Sequence, residues 1–338
     1  MVTSADHPRV TVKDVARLAG VSTATVSRTL QDADRVVPAT RIRVMKAVEE
    51  LGYRPNPMAR DLRHGGRAPA VGLVIASFTN SFQTGVAAGA ERALALEGLQ
   101  LFIGSTDLDD RREPELAKAM VDRRVSVLMM MPDGHRRDFL EADRLFGTPV
   151  VLVGRPADGL EADVVLTEDD KGVAEATDSL IDLGHRRIAA LAGAHDSFRA
   201  IQRLAGFREA MARRGVEIAP ELVVTDILTS EDAAAASEGL FALPNPPTAI
   251  LALNLGISTG ALLDRIAHHR GSALIGLDES ELTAGMGISA IVRDPEELGR
   301  QAALLAISRM VDPSRPVENI TLPSHLVRRG SGEIRPVG

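Results

Sequence analysis

After residue 68 the chain alternates short continuous apolar runs with amphipathic stretches. The runs are Val71–Ala76, Leu99–Ile103, Val125–Met131, Val150–Val153, Ile188–Ala192, Leu222–Val224, Ala249–Leu253, Ala273–Leu277 and Ile288–Val292. Between them, Gly85–Leu96, Gly172–Leu183, Arg199–Arg214 and Pro295–Met310 repeat apolar positions at helical spacing. Short apolar strands followed by helices predict βαβ units around a buried parallel sheet. Nine strands are too many for one tidy sheet of the nucleotide-binding kind. Two stacked α/β lobes are expected instead, meeting near Thr167–Lys171.

The first fifty residues carry a different pattern. Thr11-Val12-Lys13-Asp14 reads as a capping box that starts a helix. Val12, Val15, Ala16 and Ala19 follow as one buried stripe, and Gly20 can stop the helix in a left-handed conformation. Ser22 is placed to cap a second helix, Thr23–Leu30, with Val26 and Leu30 inward. Thr23, Ala24, Ser27 and Arg28 remain on its outer face. A third helix is expected over Pro38–Leu51, with Val44, Met45, Val48 and Leu51 inward and Gly52 at its end. Two short helices joined by a glycine turn form a helix-turn-helix, whose second helix can enter a DNA major groove. The alternative is any small three-helix domain.

Charge sharpens the division. The formal net charge is −7, but residues 1–67 hold 12 Lys and Arg against 7 Asp and Glu. A small basic head on an acidic body suits a polyanion held at one end. Between them "GYRPNPMARDLRHGGRA", from Gly52 to Ala68, has two prolines, a Gly-Gly pair and four arginines, and reads as a linker.

The chain of 338 residues, 45% hydrophobic and 25% charged, has ordinary globular composition. It contains no cysteine, which removes disulfides, thiolate metal sites and cysteine nucleophiles. No apolar run is long enough for a membrane span, and the N-terminus lacks a signal-peptide core, so a cytoplasmic location is expected. No phosphate-binding glycine loop follows a strand, and no Ser/His/Asp set has motif support. An enzyme is therefore disfavoured. Adjacent His268 and His269 point about 100° apart on a helix and do not make a metal site. Neither metal nor cofactor is expected.

The residues "VTVKDVARLAGVSTATVSRTL" and "ELGYRPNPMARDLR" closely resemble the head and hinge of the lactose-repressor/galactose-repressor (LacI/GalR) family of bacterial transcriptional regulators. "NSFQTGVAAG", "LGHRRIAALAG", "RLAGFREAM", "PPTAILALN", "IGLDE" and "PEELGRQAA" resemble that family's regulatory body, in order. The resemblance runs from about Val10 to Gly332. It implies an all-α helix-turn-helix headpiece (1–56), a hinge (57–67) and a two-lobed, periplasmic-binding-protein-like body (68–338). Lobe 1 would be about 68–166 and 294–321, and lobe 2 about 167–293 and 322–338.

At the DNA end the resemblance places Thr23–Leu30 in the major groove. Arg28 can donate two bonds to guanine O6 and N7. Thr23 and Ala24 occupy specificity positions, and the Ala24 methyl can pack on a thymine methyl. Ser22, Thr25 and Ser27 are expected on the phosphate backbone, which sets register rather than sequence. In the family the segment matching Pro57–Arg63 becomes helical on the operator. Leu62 matches an apolar wedge between base pairs, with Asn56, Ala59 and Arg63 at neighbouring positions. Double-stranded operator DNA and a second copy of the chain are the expected partners. A dimer is preferred because the chain ends within six residues of "HLVRRGSG", without the heptads of the family's tetramers.

In the body the resemblance implies a small-molecule effector, a sugar or other polar metabolite, held between the lobes. Arg203, Asn254 and Asp278 match its polar anchors, and Asn80, Phe82 and Gln83 match one wall. Several positions depart from that pattern. Ile227 stands where sugar-responsive relatives often place an aromatic, Leu255 replaces an Asp, Gly154 replaces a carboxylate of the lactose repressor, and the loop before Ser272 looks shortened. The chain has no Trp and one Tyr, Tyr53, leaving few rings for a sugar face. His185, in "GHRRI", is expected to serve structure. Two other organisations compete with an effector-controlled repressor: a regulator without a small-molecule effector, and a solute-binding protein of a transporter.

Overall fold

A computed structural model describes residues 10–31, 36–53, 70–134 and 136–336. The chain forms two compact units, Met1–Ala68 and Pro69–Gly338.

The first unit holds α1 (Val12–Ala19), α2 (Thr23–Gln31) and α3 (Pro38–Glu50). The Asp14 carboxylate accepts from the Thr11 amide at 3.0 Å and the Thr11 hydroxyl at 2.7 Å, fixing the start of α1. Gly20, at φ +66°, ends it and turns the chain toward α2. Val15, Ala16, Ala19, Val26, Val44 and Ala47 form the core, and Leu30, Val48, Leu51 and Tyr53 pack around them. One expectation fails: Met45 is 47% exposed. One residue beyond Val44 is a rotation of about 100°, which carries Met45 to the rim and brings Ala47 inside.

The second unit repeats one topology twice. The first half supplies β1 (Ala70–Ile75), α4 (Ser81–Leu96), β2 (Gln100–Ser105), α5 (Glu113–Asp122), β3 (Val127–Met130), β4 (Val150–Val153) and β5 (Asp163–Thr167). The second half supplies α6 (Asp169–Asp182), β6 (Ile188–Leu191), α7 (Phe198–Arg213), β7 (Val223–Val224) and α8 (Ser230–Phe241). It continues with β8 (Ala249–Ala252), α9 (Leu255–Ala267), β9 (Ala273–Leu277), α10 (Glu281–Gly285) and β10 (Ser289–Val292). The chain then returns through α11 (Pro295–Val311) and β11 (Asn319–Leu322) before ending past β12 (His325–Val327).

The sheets run β11-β5-β4-β3-β1-β2 and β12-β10-β9-β8-β6-β7. Every pairing is parallel except β10 with β12. Among the described residues the chain crosses between lobes at Thr167–Asp169, Val292–Pro295 and Leu322–His325. All nine expected strands are present. β5, β11 and β12 are additional: β5 begins with Asp163, β11 alternates exposed and half-buried residues, and β12 has only three residues.

Apolar side chains fill both faces of each sheet, giving three layers per lobe. Phe207 is fully buried in lobe 2, and its truncation to Ala would cost about 3–5 kcal/mol. Helix pairs approach through glycine. A Cβ on Gly89 would lie 1.9 Å from the Glu296 carbonyl oxygen, and one on Gly299 would lie 1.9 Å from that of Val86. No side chain fits there, so α4 and α11 meet backbone to backbone.

Candidate DNA-reading face and interlobe cleft

On α2 the helical rotation separates two roles. Val26 and Thr29 are buried, while Thr23, Ala24 and Arg28 are exposed and Ser27 is half-buried. Ser22 Oγ accepts the Thr25 amide at 3.1 Å, and its hydroxyl meets that of Thr25 at 2.9 Å. This cap fixes the first turn, where a recognition helix meets bases and phosphates. Three expected side chains, on residues 23, 24 and 28, thus share one accessible face. Asn56, Ala59, Leu62 and Arg63 lie outside the described residues.

In the body, both lobes reverse strand order between their first and third strands: β1 and β3 in lobe 1, β6 and β8 in lobe 2. Open α/β sheets bind ligands at the carboxyl end of such a switch point. Phe82 follows β1 and Asp133 follows β3. Arg199 and Arg203 follow β6, and Asn254 follows β8. The Asp133 carboxylate forms an ion pair with Arg199 across the lobes, so the two switch points face each other.

Behind that pair lies a buried network. Arg203 Nε donates to Asp169 at 2.8 Å and its Nη1 to the Leu253 carbonyl at 2.7 Å. Arg293 Nη1 donates to the same Asp169 oxygen, Oδ2, at 3.1 Å and to Oδ1 at 3.3 Å, and Arg293 Nε donates to Asp278 at 2.9 Å. The Arg293 guanidinium also lies over the Phe82 ring, 3.8 Å from its centre, a favourable cation–π geometry. Asp169, Arg203, Asp278 and Arg293 are all more than nine-tenths buried. Burial alone would raise the Asp169 pKa, but Arg293 and then Arg203 override it and hold the carboxyl at about 2. Burial likewise opposes the charge on Arg293, and Asp169 and Asp278 more than compensate, raising its pKa. Asp278 sits at φ +62°, a strained backbone for a non-glycine residue.

The expected effector residues divide by what they touch. Asn80 Oδ1 accepts the Phe82 and Gln83 amides and caps α4. Gln83 is buried, and its carbonyl oxygen accepts the Ala76 and Ser77 amides at 2.8 and 2.9 Å, shaping the loop after β1. Asn254 Oδ1 caps α9 through the Ile257 amide, while its Nδ2 lies beside Gly193, where a Cβ would be 3.6 Å away. Phe82, Arg203 and Asp278 join the network directly or through Arg293. Ile227 is buried in the lobe 2 core, 4% exposed, so an aromatic substituted there would first have to find room in that core. His185 is fully buried between the Thr248 hydroxyl and the Ile334 carbonyl, as a structural residue would be.

Sequence reasoning missed Asp133, Asp169, Arg199 and Arg293. Asp133, Asp169 and Arg293 are charged residues just past the carboxyl end of a strand or at a lobe crossing, and that position was the available signal. Arg199 lies in the first turn of α7, eight residues beyond β6, without that signal. Among the described residues no three His, Cys, Asp or Glu side chains could hold a metal, and no helix is long and apolar enough to cross a membrane.

Residues 11–56 match the profile of "Bacterial regulatory proteins, lacI family", and residues 177–332 match "Periplasmic binding protein-like domain". The ribose operon repressor of Escherichia coli (strain K12) is 31% identical over 95% of this chain and 99% of its own. A solved complex of the transcriptional regulator CelR with cellobiose is 30% identical, with a TM-score of 0.67 over 96% of this chain and 100% of that one. The lac repressor dimer bound to operator and an anti-inducer shares the fold at a TM-score of 0.83 and 22% identity, covering 96% and 99% of the two chains. These relatives are regulators rather than enzymes. The chain belongs to the lacI family of bacterial regulatory proteins.

Proposed function

We propose that the chain is a cytoplasmic repressor that binds a pseudopalindromic operator as a homodimer, and that a small polar metabolite between the lobes modulates it. The observation that carries the DNA half is the α2 surface. Arg28, Thr23 and Ala24 project from a helix that α1 and α3 support through a common core. Arg28 reads a guanine, the residues 23 and 24 set the neighbouring positions, and Ser22, Thr25 and Ser27 hold phosphates. One such helix reads too few base pairs for tight binding, so two half-sites and a two-fold protein are required. Residues 57–67, outside the described residues, are assigned as the hinge, with Asn56, Ala59, Leu62 and Arg63 as its DNA contacts.

The effector half rests on the facing switch points. A ligand held there by Arg203, Asn254 and Asp278 on one lobe and Phe82 on the other changes lobe closure. Closure sets the spacing of the two hinges, and a preference of about 1–3 kcal/mol for one state shifts operator affinity about 5- to 150-fold. Selection of bound fragments from a genomic library, followed by gel shift of the winners, tests the DNA half. Enriched fragments sharing a two-fold motif are expected. Recovery of fragments without a shared motif contradicts the reading.

A further inference from the structure

Arg199 differs from the other cleft arginines in where its counter-charge comes from. Arg203 and Arg293 are neutralised by Asp169 and Asp278, all within lobe 2 and its crossing to lobe 1. Arg199 is paired instead with Asp133, on the opposite lobe. Burial lowers its pKa to about 10, and repulsion from Arg203 and Arg293 acts in the same direction. Its guanidinium lies near two other cations that the Glu113 and Asp278 carboxylates partly offset, and its ion-pair partner arrives only when the lobes meet.

The lobe 1 side is built for release of that carboxylate. The Asp133 amide donates to Glu113 at 2.7 Å, and its carbonyl accepts from Arg155 at 3.0 Å. Its main chain is therefore fixed while its side chain, 38% exposed, can rotate away. Next to it β4 is followed by Gly154 at φ +72°, where an added Cβ would lie 3.8 Å from Arg199 Nη1. A side chain is strained at that positive φ, while its Cβ would stand in ordinary contact with the guanidinium. The floor beside Asp133 also carries Arg155, 7% exposed, whose Nε has no hydrogen-bond partner among the described residues.

A neutral polyol that displaced Asp133 would leave Arg199 beside two guanidiniums without an ion-pair partner, offset only by the Glu113 and Asp278 carboxylates outside ion-pair distance. A carboxylate or phosphate restores the lost pair with charge-assisted hydrogen bonds. We infer that the effector is an anionic, polyhydroxylated small molecule whose carboxylate or phosphate replaces Asp133 on Arg199. The inference rests on reading the cleft as the effector site, and it assigns Asp133 as an internal stand-in for the ligand's anion.

The test measures binding by calorimetry to the full chain at constant ionic strength. The probes are ribose, glucose and galactose, their aldonates and their terminal phosphate esters. At least one anionic probe is expected to bind at least about tenfold more tightly than its parent aldose. Arg199→Gln should erase that preference, and Asp133→Asn, which removes the competing carboxylate, should tighten anion binding. Aldonate against phosphate ester identifies which anion the site takes. Binding of neutral aldoses alone, binding of no anionic probe, or an unchanged anion affinity in Arg199→Gln overturns the inference. Operator affinity measured alongside separates the two readings. A neutral aldose that shifts it keeps the effector cleft and sinks the anion, whereas an anion bound at Arg199 without any shift keeps the anion and sinks the coupling.

Discussion

The head and the cleft present their functional side chains in opposite ways. On α2, Thr23, Ala24 and Arg28 stand exposed on a helix stabilised entirely by its other face. In the cleft, Arg203, Arg293, Asp169 and Asp278 are buried and bonded to one another. A surface that reads DNA meets its partner as it stands. A site that closes on a small ligand has to keep its charges satisfied without that ligand, so the protein supplies the counter-charges itself. The difference has energetic consequences: substitutions on the exposed face of α2 should alter DNA binding and leave stability alone, whereas substitutions in the cleft should alter stability first.

The largest effect is expected from Arg293→Ala. It leaves Asp169 and Asp278 buried without their shared cation, and breaking a buried pair in this way costs about 3–5 kcal/mol. Denaturant unfolding of the body should show the loss directly. An unchanged midpoint would erase the contrast between the two regions.

Acid provides the next break. The Asp169 carboxyl, at about 2, lies below its ordinary 3.8. Its contribution is full above the unfolded value and is lost as pH falls through the folded one. Stability should therefore decline between about pH 4 and pH 2, by roughly 2 kcal/mol from this group. Asp169→Asn should remove that portion of the acid dependence, which unfolding curves across the range can measure.

A smaller effect belongs to the head. Ser22→Ala deletes the cap that the Thr25 amide uses and should destabilise the headpiece by about 1 kcal/mol. On the proposed reading Ser22 holds helix position and phosphate register, so binding should weaken similarly on all sequences. Anisotropy titrations on matched and mismatched duplexes check this. Smaller still, burial depresses the His185 pKa below 6.5. Its share of stability is present above that value and falls as pH drops below it. His185→Gln should flatten the body's stability between about pH 7 and pH 5.

The same contrast explains what the sequence made legible. The α2 face follows from a 3.6-residue period, a cap at Ser22 and a stop at Gly20, all within about twenty residues. The nine strands were equally plain because each is a continuous apolar run. β5 was missed because its first residue is Asp163, whose buried carboxylate is paired by Arg309 and Arg315 from a distant part of the chain. The cleft network has the same character: Arg293 and Asp169 are 124 positions apart. No periodicity or spacing announces such a pair. The family resemblance supplied Arg203 and Asp278, but not the residues that hold them. It also offered Asn80 and Gln83 as cleft wall, where the structure shows their carbonyl oxygens capping α4 and bracing the loop after β1.

Base reading by α2 is tested most directly by one competition experiment. Wild type and Arg28→Ala are titrated onto a selected operator and onto a scrambled duplex at the same salt. Wild type should prefer the operator by about 10³-fold or more. Arg28→Ala should lose about 1–3 kcal/mol on the operator, relax the preference at one base pair of each half-site, and melt like wild type. A variant that weakens on both duplexes by the same factor would make Arg28 a phosphate contact and contradict the assignment of this face to sequence recognition.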